Sequence, residues 1–142
     1  MGTIIFSNNG ISPHIKDITK LKEILRSIFK NEMVDFERVN FIFCKEDYLL
    51  KLNQQYLGHD TYTDILTFTL SSKEKSIFSD IYISVDRVRE NAASLKIPFS
   101  SELNRVMIHG ILHLCGYSDH SVREKKKMRE KEDFYLNKLS FT

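Results

Sequence analysis

The residues best suited to chemistry are the histidines at positions 109–120, which hold three of the chain's five histidines. His109 and His113 are four residues apart in a segment whose apolar spacing predicts a helix, so their imidazoles project from one face about one turn apart. Such a pair can share one tetrahedral metal ion. Apolar neighbours surround both, and a buried imidazole pair without a ligand would be unfavourable. The spacing therefore predicts a metal site.

The third ligand is expected just after Gly116, which ends the predicted helix and lets the chain turn back. Asp119 and His120 both qualify, because carboxylate oxygen and imidazole nitrogen bind zinc at similar distances. Ungapped spacing from His113 favours Asp119, whereas a one-residue gap at Ser118 favours His120. Three protein ligands leave a fourth position for water, as in catalytic zinc sites. We therefore expect one Zn²⁺ per chain.

The same spacing resembles the H-E-x-x-H-x-x-G-x-x-H signature of metzincin proteases, with Asp119 on the third-ligand position. Those enzymes place a glutamate general base beside the first histidine, and this chain has Gly110 there. Peptide hydrolysis by that route is therefore disfavoured, and metalloprotease stays only as an alternative.

Composition indicates a single soluble globular domain, with 42% apolar and 28% charged residues in a chain of 142. No apolar run is long enough for a membrane helix, and residues 1–9 lack the pattern of an export signal. We therefore expect a cytoplasmic protein with no membrane partner. Cys44 and Cys115 lie far apart in sequence and are expected to be buried, reduced thiols.

Net charge says little about partners, because it is only +2. Residues 123–131 carry six basic side chains against two acidic ones. A solvated helix face explains this run as well as contact with an RNA backbone does.

Apolar periodicity predicts the element order β-α-β-α-β-β-α-α-α, with the third and fourth strands forming a hairpin through a turn at residues 71–75. This order implies an α+β domain with a small mixed sheet of about four strands packed with about five helices. The metal-binding helix lies in the C-terminal half. Gly58 is expected to end the second helix, and residues 58–64 to form a loop.

Helix ends are also predicted. Asp86 is expected to cap the third helix, and Ser100 or Ser101 the fourth. Ser121 begins a charged last helix. Its buried contacts are predicted to be Val122, Met128, Phe134 and Leu136.

Residues 109–120 resemble the H-G-x-L-H-L-x-G-Y-D-H signature of YbeY-type metallo-endoribonucleases. Residues 52–56, Asp60 and residues 63–68 resemble the family's L-N-x-x-Y-R-x-x-D-x-P-T-D-V-L-S-F block, and residues 80–83 its G-D-I-x-I strand. The resemblance implies that residues 1–142 form one YbeY-like metallohydrolase domain. It implies an endoribonuclease directed at single strands, which matures ribosomal RNA, chiefly the 3′ end of the small-subunit RNA, and serves ribosome quality control. Single-stranded RNA, ribosomal RNA and small-subunit ribosomal proteins are the implied partners, and no DNA is expected.

Departures from the family pattern bear on catalysis. The family's arginine after the tyrosine is Leu57 here, so His59 or a nearby lysine must supply the cation, or activity is weaker. The glycine before the strand aspartate is Ser79. In this family the loop holding His59, Thr63 and Asp64 borders the site, so His59 and Asp64 are the predicted catalytic residues. A capping or turn role is the alternative for Asp64.

The residues are compatible with two classes of function, an enzyme and a binding protein. In the enzyme, a bound cation lowers the pKa of its water and polarises a phosphoryl oxygen. In the alternative, the metal is structural and the protein is a ribosome-assembly factor that only binds RNA. That alternative is favoured if His120 completes the coordination alongside Asp119, because no position is then left for water.

Overall fold

The computed structural model of the chain describes residues 2–59, 61–70 and 76–140. Its elements are β1 (Thr3–Asn8), α1 (Ile18–Asn31), β2 (Arg38–Cys44), α2 (Glu46–Leu57), β3 (Ile65–Thr69), β4 (Phe78–Ser84), α3 (Val85–Leu95), α4 (Phe99–Leu114) and α5 (Val122–Ser140). The predicted element order and α+β class are confirmed. Asp60 and the predicted turn at residues 71–75 lie outside the described residues.

The four strands form one mixed sheet in the order β1-β2-β4-β3. β1 and β4 both run parallel to β2, whereas β3 runs antiparallel to β4. The parallel pairs are joined through helices, and the antiparallel pair is made of consecutive strands, as the spacing predicts. The Ser84 N–H donates to the Asp64 carbonyl at 2.9 Å, just before β3 begins. This bond fixes the backbone of Asp64 at the sheet edge.

The main hydrophobic core lies between the sheet and helices α1, α3, α4 and α5. Helix α4 contributes the buried apolar residues Leu103, Val106, Met107, Ile108, Ile111 and Leu112. Full burial of such a side chain contributes about 1.5–3 kcal/mol, so this helix is firmly held. A smaller cluster of Cys44, Leu49 and Leu66 joins α2 to the sheet. The backbone of α4 is therefore a rigid support for the side chains on its outer face.

Helix α3 does not begin as predicted. Its N-cap is Ser84, whose Oγ accepts from the Arg87 N–H at 3.1 Å. Asp86 lies in the first turn, and its Oδ2 accepts from the Glu46 N–H at 3.0 Å instead. The prediction of an Asp86 cap is wrong because β4 runs directly into the helix and leaves the cap position to the last strand residue.

The starts of α4 and α5 differ in how well they were predicted. Pro98 is the N-cap of α4, with extended backbone angles of φ −60° and ψ 145°. Ser100 and Ser101 therefore lie inside the first turn, and the prediction that either caps the helix is wrong. Ser121 is confirmed at the start of α5, where its Oγ accepts from the Glu124 N–H at 3.0 Å and Glu124 Oε1 accepts from the Ser121 N–H at 2.9 Å.

Helix α5 buries only part of the predicted face, and Leu136 is half-buried against the core. Val122 is 87% exposed and Phe134 52% exposed, so both predictions are wrong. Met128 is buried as predicted, and it shares its face with Glu132 and Tyr135 at i+4 and i+7. A charged residue in the middle of the buried face hides the apolar period.

The cysteines and the hydropathy of the helices were also the subject of predictions. Cys44 is buried, whereas Cys115 is only half-buried, and both are free thiols. Over residues 2–59, 61–70 and 76–140, no helix is long and apolar enough to cross a membrane.

Candidate metal centre

Gly110 lets α4 approach the sheet closely. A Cβ at this position would lie 3.0 Å from Ile65 Cδ1 and 3.2 Å from Ile81 Cδ1. Position 110 therefore faces the sheet, and a longer side chain fits only if both isoleucines move. This packing is a physical reason for glycine where metzincins place their glutamate base.

The side chains of His109, His113 and Asp119 converge at the C-terminal end of α4. The two Nε2 atoms are 2.9 Å apart, and Asp119 Oδ2 lies 3.4 Å from that of His109 and 3.6 Å from that of His113. Ligand atoms placed 2.0–2.2 Å from a tetrahedral zinc would be about 3.3 Å from one another. The three donors are therefore spaced as one small ion requires.

His120 is placed differently from its neighbour. Its side chain is exposed, and its backbone N–H donates to Glu124 Oε1 at 3.2 Å. Within the part of the chain that the structure describes, the cluster of possible metal ligands contains Asp119 and not His120.

The turn after α4 delivers Asp119 to the histidines. The Gly116 N–H donates to the His113 carbonyl, and the Tyr117 N–H to the Leu112 carbonyl, each at 3.0 Å. This pair of bonds is a Schellman motif, and Gly116 takes the positive φ of 104° that it needs. The turn also brings the Tyr117 carbonyl oxygen to 2.9 Å from His113 Nδ1.

Tyr117 is itself held by a carboxylate from another helix. Its hydroxyl donates to Glu32 Oε1 at 2.6 Å, while Tyr135 and Lys131 donate to Glu32 Oε2 at 2.6 and 3.1 Å. Burial raises the pKa of Glu32, but the hydrogen bonds from these donors outweigh it and the pKa is lowered. This network ties the loop to α1 and α5, so the carbonyl that orients His113 is fixed.

The hydrogen bonds of the two imidazoles define which nitrogens can bind a metal. The Tyr117 carbonyl can only accept, so His113 Nδ1 donates to it, and the neutral ring then has a lone pair on Nε2. His109 Nδ1 lies 2.6 Å from Glu132 Oε2 and donates in the same way. Two Nε2 lone pairs thus face each other, which is repulsive unless a cation or a proton joins them. The donor set fits a divalent metal.

Protons compete with a metal at this site. Burial lowers the pKa of His109, but its hydrogen bond with Glu132 and the charges of Glu132 and Asp119 outweigh that, so the pKa is raised. A proton on His109 must leave before a metal binds, and metal affinity is therefore expected to fall as the pH falls.

Glu132 supports His109 from α5. Its side chain is 7% exposed, and Arg105 Nη1 donates to its Oε1 at 2.8 Å. Burial raises the pKa of Glu132, but the bonds from His109 and Arg105 outweigh it, so the pKa is lowered and the group is charged. A carboxylate on the far nitrogen of a ligating histidine fixes the ring and raises its basicity. No pattern in the sequence indicates this contact, which joins residues 23 positions apart.

Substituting Glu132 with glutamine is expected to weaken metal affinity by about 10–100-fold, because the amide keeps the shape but loses the charge that makes His109 a strong ligand. Competition against a coloured chelator measures this. Asp133→Asn is the matched control. Asp133 also pairs with Arg105 at 2.8 Å but, in the described part of the chain, is not paired with a histidine. Equal losses in both variants would contradict a specific role for Glu132.

A cavity of about 390 Å³ opens beside the cluster. Its charged lining consists of Asp64, Glu102, Arg105, His109, Asp119, Lys125, Arg129 and Glu132. Glu102 and Arg105 precede His109 by seven and four residues on one helix. That helical spacing is a signal by which sequence reasoning could have found both.

The two predicted catalytic residues are placed differently. Asp64 lines the cavity, and Asn91 Nδ2 donates to its Oδ2 at 3.5 Å. Burial raises the pKa of Asp64, although the charges of His109 and Arg87 oppose this. His59 is exposed and is not among the residues lining the cavity, and Leu57 is 48% exposed at the end of α2. The roles of His59 and Asp64 stay predictions.

The fold and the cluster define an α+β protein with a His-His-Asp site that can hold a metal ion. Residues 7–140 match the family model described as Endoribonuclease YbeY. The chain therefore belongs to the YbeY family, as its motifs predict.

Individual relatives agree over nearly the whole chain. A Flavobacterium psychrophilum protein named Endoribonuclease YbeY is 47% identical over 130 residues, which cover 92% of each chain. A protein of the same name from Cytophaga hutchinsonii is 40% identical over 139 residues, covering 98% of this chain and 97% of the relative. The solution structure of a Thermotoga maritima protein matches with a TM-score of 0.69 and 38% identity, covering 94% of this chain and 87% of that one.

Proposed function

We propose that this protein is a metal-dependent endoribonuclease that cleaves single-stranded RNA, matures the 3′ end of small-subunit ribosomal RNA and serves ribosome quality control. One observation carries the proposal: the ligand atoms of His109, His113 and Asp119 converge beside a cavity that also holds basic side chains. The endoribonuclease name of relatives that match nearly the whole chain supports the choice of RNA.

Zinc is the proposed ion, one per chain, because two imidazoles and one carboxylate are a donor set that suits it. When bound, a divalent cation supplies Lewis acidity, which activates water and polarises a phosphoryl oxygen. The protein's part is to hold the His109 and His113 Nε2 atoms aimed at one point, through Glu132 and the Tyr117 carbonyl.

Basic residues of the cavity are proposed to bind the RNA backbone. Arg105 forms ion pairs with two carboxylates at 2.8 Å, so its charge is largely compensated and it is poorly suited to bind a phosphate. Arg129 is 62% exposed, with Nη1 4.0 Å from Glu132 Oε1, and Lys125 lines the same cavity. Both project from α5 and are suited to attract phosphate. His59 is proposed to take part as the cation that Leu57 does not supply.

Asp64 is proposed to accept a hydrogen bond or a proton from water in the cavity. Its half-buried position in the cavity that His109 and Asp119 also line supports this, and a carboxyl group whose pKa is raised by burial accepts protons more readily near neutral pH.

The two alternatives are less well supported. A purely structural metal would need a fourth protein ligand, and the exposed side chain of His120 lies outside the ligand cluster. A protease-like hydrolase would need a base next to His109, where Gly110 packs against two isoleucines.

Purified protein is expected to cleave a single-stranded ribosomal RNA fragment, to stop after a chelator removes the metal, and to recover when zinc is returned. The fragment should span the 3′ end of the small-subunit RNA. The same sequence as a duplex and the corresponding DNA strand are matched controls and should resist cleavage. Activity that survives the chelator, or that cuts the duplex equally well, would contradict the proposal.

A further inference from the structure

Glu102 is a buried carboxyl group that the proposed function has not used. It is 7% exposed, lies on α4 and lines the cavity that His109 and Asp119 also line. Its Oε1 is fully buried and has no hydrogen-bond partner in the described part of the chain. An unpaired buried carboxylate oxygen is strongly unfavourable, so this position in the cavity requires an explanation.

The other buried glutamate of the cavity shows the contrast. Glu132 is also buried, but Arg105 and His109 both donate to it at 2.8 Å or less. Arg105 gives its second Nη group to Asp133, so both of its Nη groups are bonded to carboxylates other than Glu102. Two carboxyl groups in one cavity therefore have opposite surroundings, and such a difference separates groups that stay charged from groups that hold a proton.

The charged groups facing Glu102 come from three elements. Asp64, before β3, and Glu132, on α5, disfavour a second negative charge, whereas Arg105 on α4 and Arg129 on α5 favour it. Burial is the largest effect and, with Asp64, it raises the pKa of Glu102. These surroundings therefore shift Glu102 toward the neutral acid relative to a glutamate in water.

We propose that Glu102 is the proton donor to the ribose oxygen that leaves when the RNA phosphodiester is hydrolysed; this rests on the proposed function. Water supplies the oxygen that bonds to phosphorus, and its proton reaches solvent through Asp64, the acceptor proposed above. The electron pair of the breaking P–O bond goes to the leaving oxygen, which takes the proton of Glu102. Solvent then returns a proton to Glu102.

The test compares Glu102→Gln with wild type on two substrates. On RNA, where the leaving alkoxide needs a proton, the variant should lose about 10²–10⁴-fold in rate, the range for general acid catalysis. On a nucleotide p-nitrophenyl phosphodiester, whose nitrophenolate leaves unprotonated, the loss should be far smaller. Wild-type cleavage of RNA should also fall as the pH rises and Glu102 loses its proton, and the variant should lack this fall. Glu130→Gln, an exposed glutamate on α5, is the control.

The outcomes separate the two proposals. Wild type that leaves RNA uncut refutes the endoribonuclease, and the role of Glu102 falls with it. Active wild type with equal losses on both substrates, an unchanged pH profile, or a Glu102→Gln variant that loses its metal would overturn the proton-donor role alone. In the last case Glu102 would instead be a group that holds the ion.

Discussion

Replacing His109 and His113 together with alanine is expected to leave a folded protein that holds no tightly bound divalent ion and cuts no RNA. Each residue supplies one of the two Nε2 atoms that lie 2.9 Å apart, and Asp119 alone cannot hold the ion. Substituting a residue that only orients a ligand lowers metal affinity by about 10–100-fold. Removing two ligands should therefore lower it by more than that. Elemental analysis after gentle purification and cleavage of single-stranded RNA are the two measurements.

The double variant is expected to fold because both side chains are partly exposed, at 24% and 34%, and the core of α4 is untouched. His14→Asn is the matched control: it removes an exposed imidazole at a φ of 52°, a left-handed conformation that asparagine also adopts. Undiminished cleavage by the double variant would mean that the nuclease was a contaminant. Retained metal would place the ion elsewhere in the chain.

The parts of the site that sequence could predict are those set by short-range geometry. His109 and His113 share a face because four residues make about one helical turn, whatever surrounds the helix. Gly116 provides the turn after α4, and the ungapped count from His113 reaches Asp119, the residue found beside the histidines. Each of these inferences spans fewer than about ten residues, so local propensity decides it.

The parts that sequence could not predict depend on how helices pack. Glu132 and Glu32 orient the two histidines, directly or through Tyr117, across separations of 23 and 85 residues. Nothing in one sequence distinguishes Glu132 from the other charges of its helix. The error on the buried face of α5 has the same cause, because Glu132 is buried between Met128 and Tyr135 for its contact with α4. A prediction of the buried face from apolar spacing therefore fails where a polar residue is buried to support a site.

The strand pattern was easier to predict than the helix starts. Val39, Phe41 and Phe43 alternate inward, and the register of β2 with both neighbours buries all three completely. A cap depends on where the backbone leaves the preceding element, and β4 passes into α3 without a loop. Ser84 therefore takes the cap that the pattern assigned to Asp86.

Substituting Asp119 is expected to cost the protein its metal, whereas substituting His120 should leave affinity essentially unchanged. Asp119 Oδ2 is within 3.6 Å of both Nε2 atoms, while the His120 side chain is exposed and only its backbone N–H is bonded, to Glu124. Asp119→Asn keeps the size of the side chain but removes the charge. Its affinity should fall by more than the roughly 10–100-fold expected for a residue that only orients a ligand.

His120→Ala is the matched control for this comparison, because alanine keeps the N–H that bonds Glu124 and so preserves the start of α5. Metal affinity, measured by competition titration, and RNA cleavage should both fall in Asp119→Asn. Neither should change in His120→Ala. A metal-free His120→Ala protein beside a metal-loaded Asp119→Asn protein would mean that the loop shifts by one residue when the ion binds. The third ligand would then be His120, and the alignment with a gap at Ser118 would be the right one.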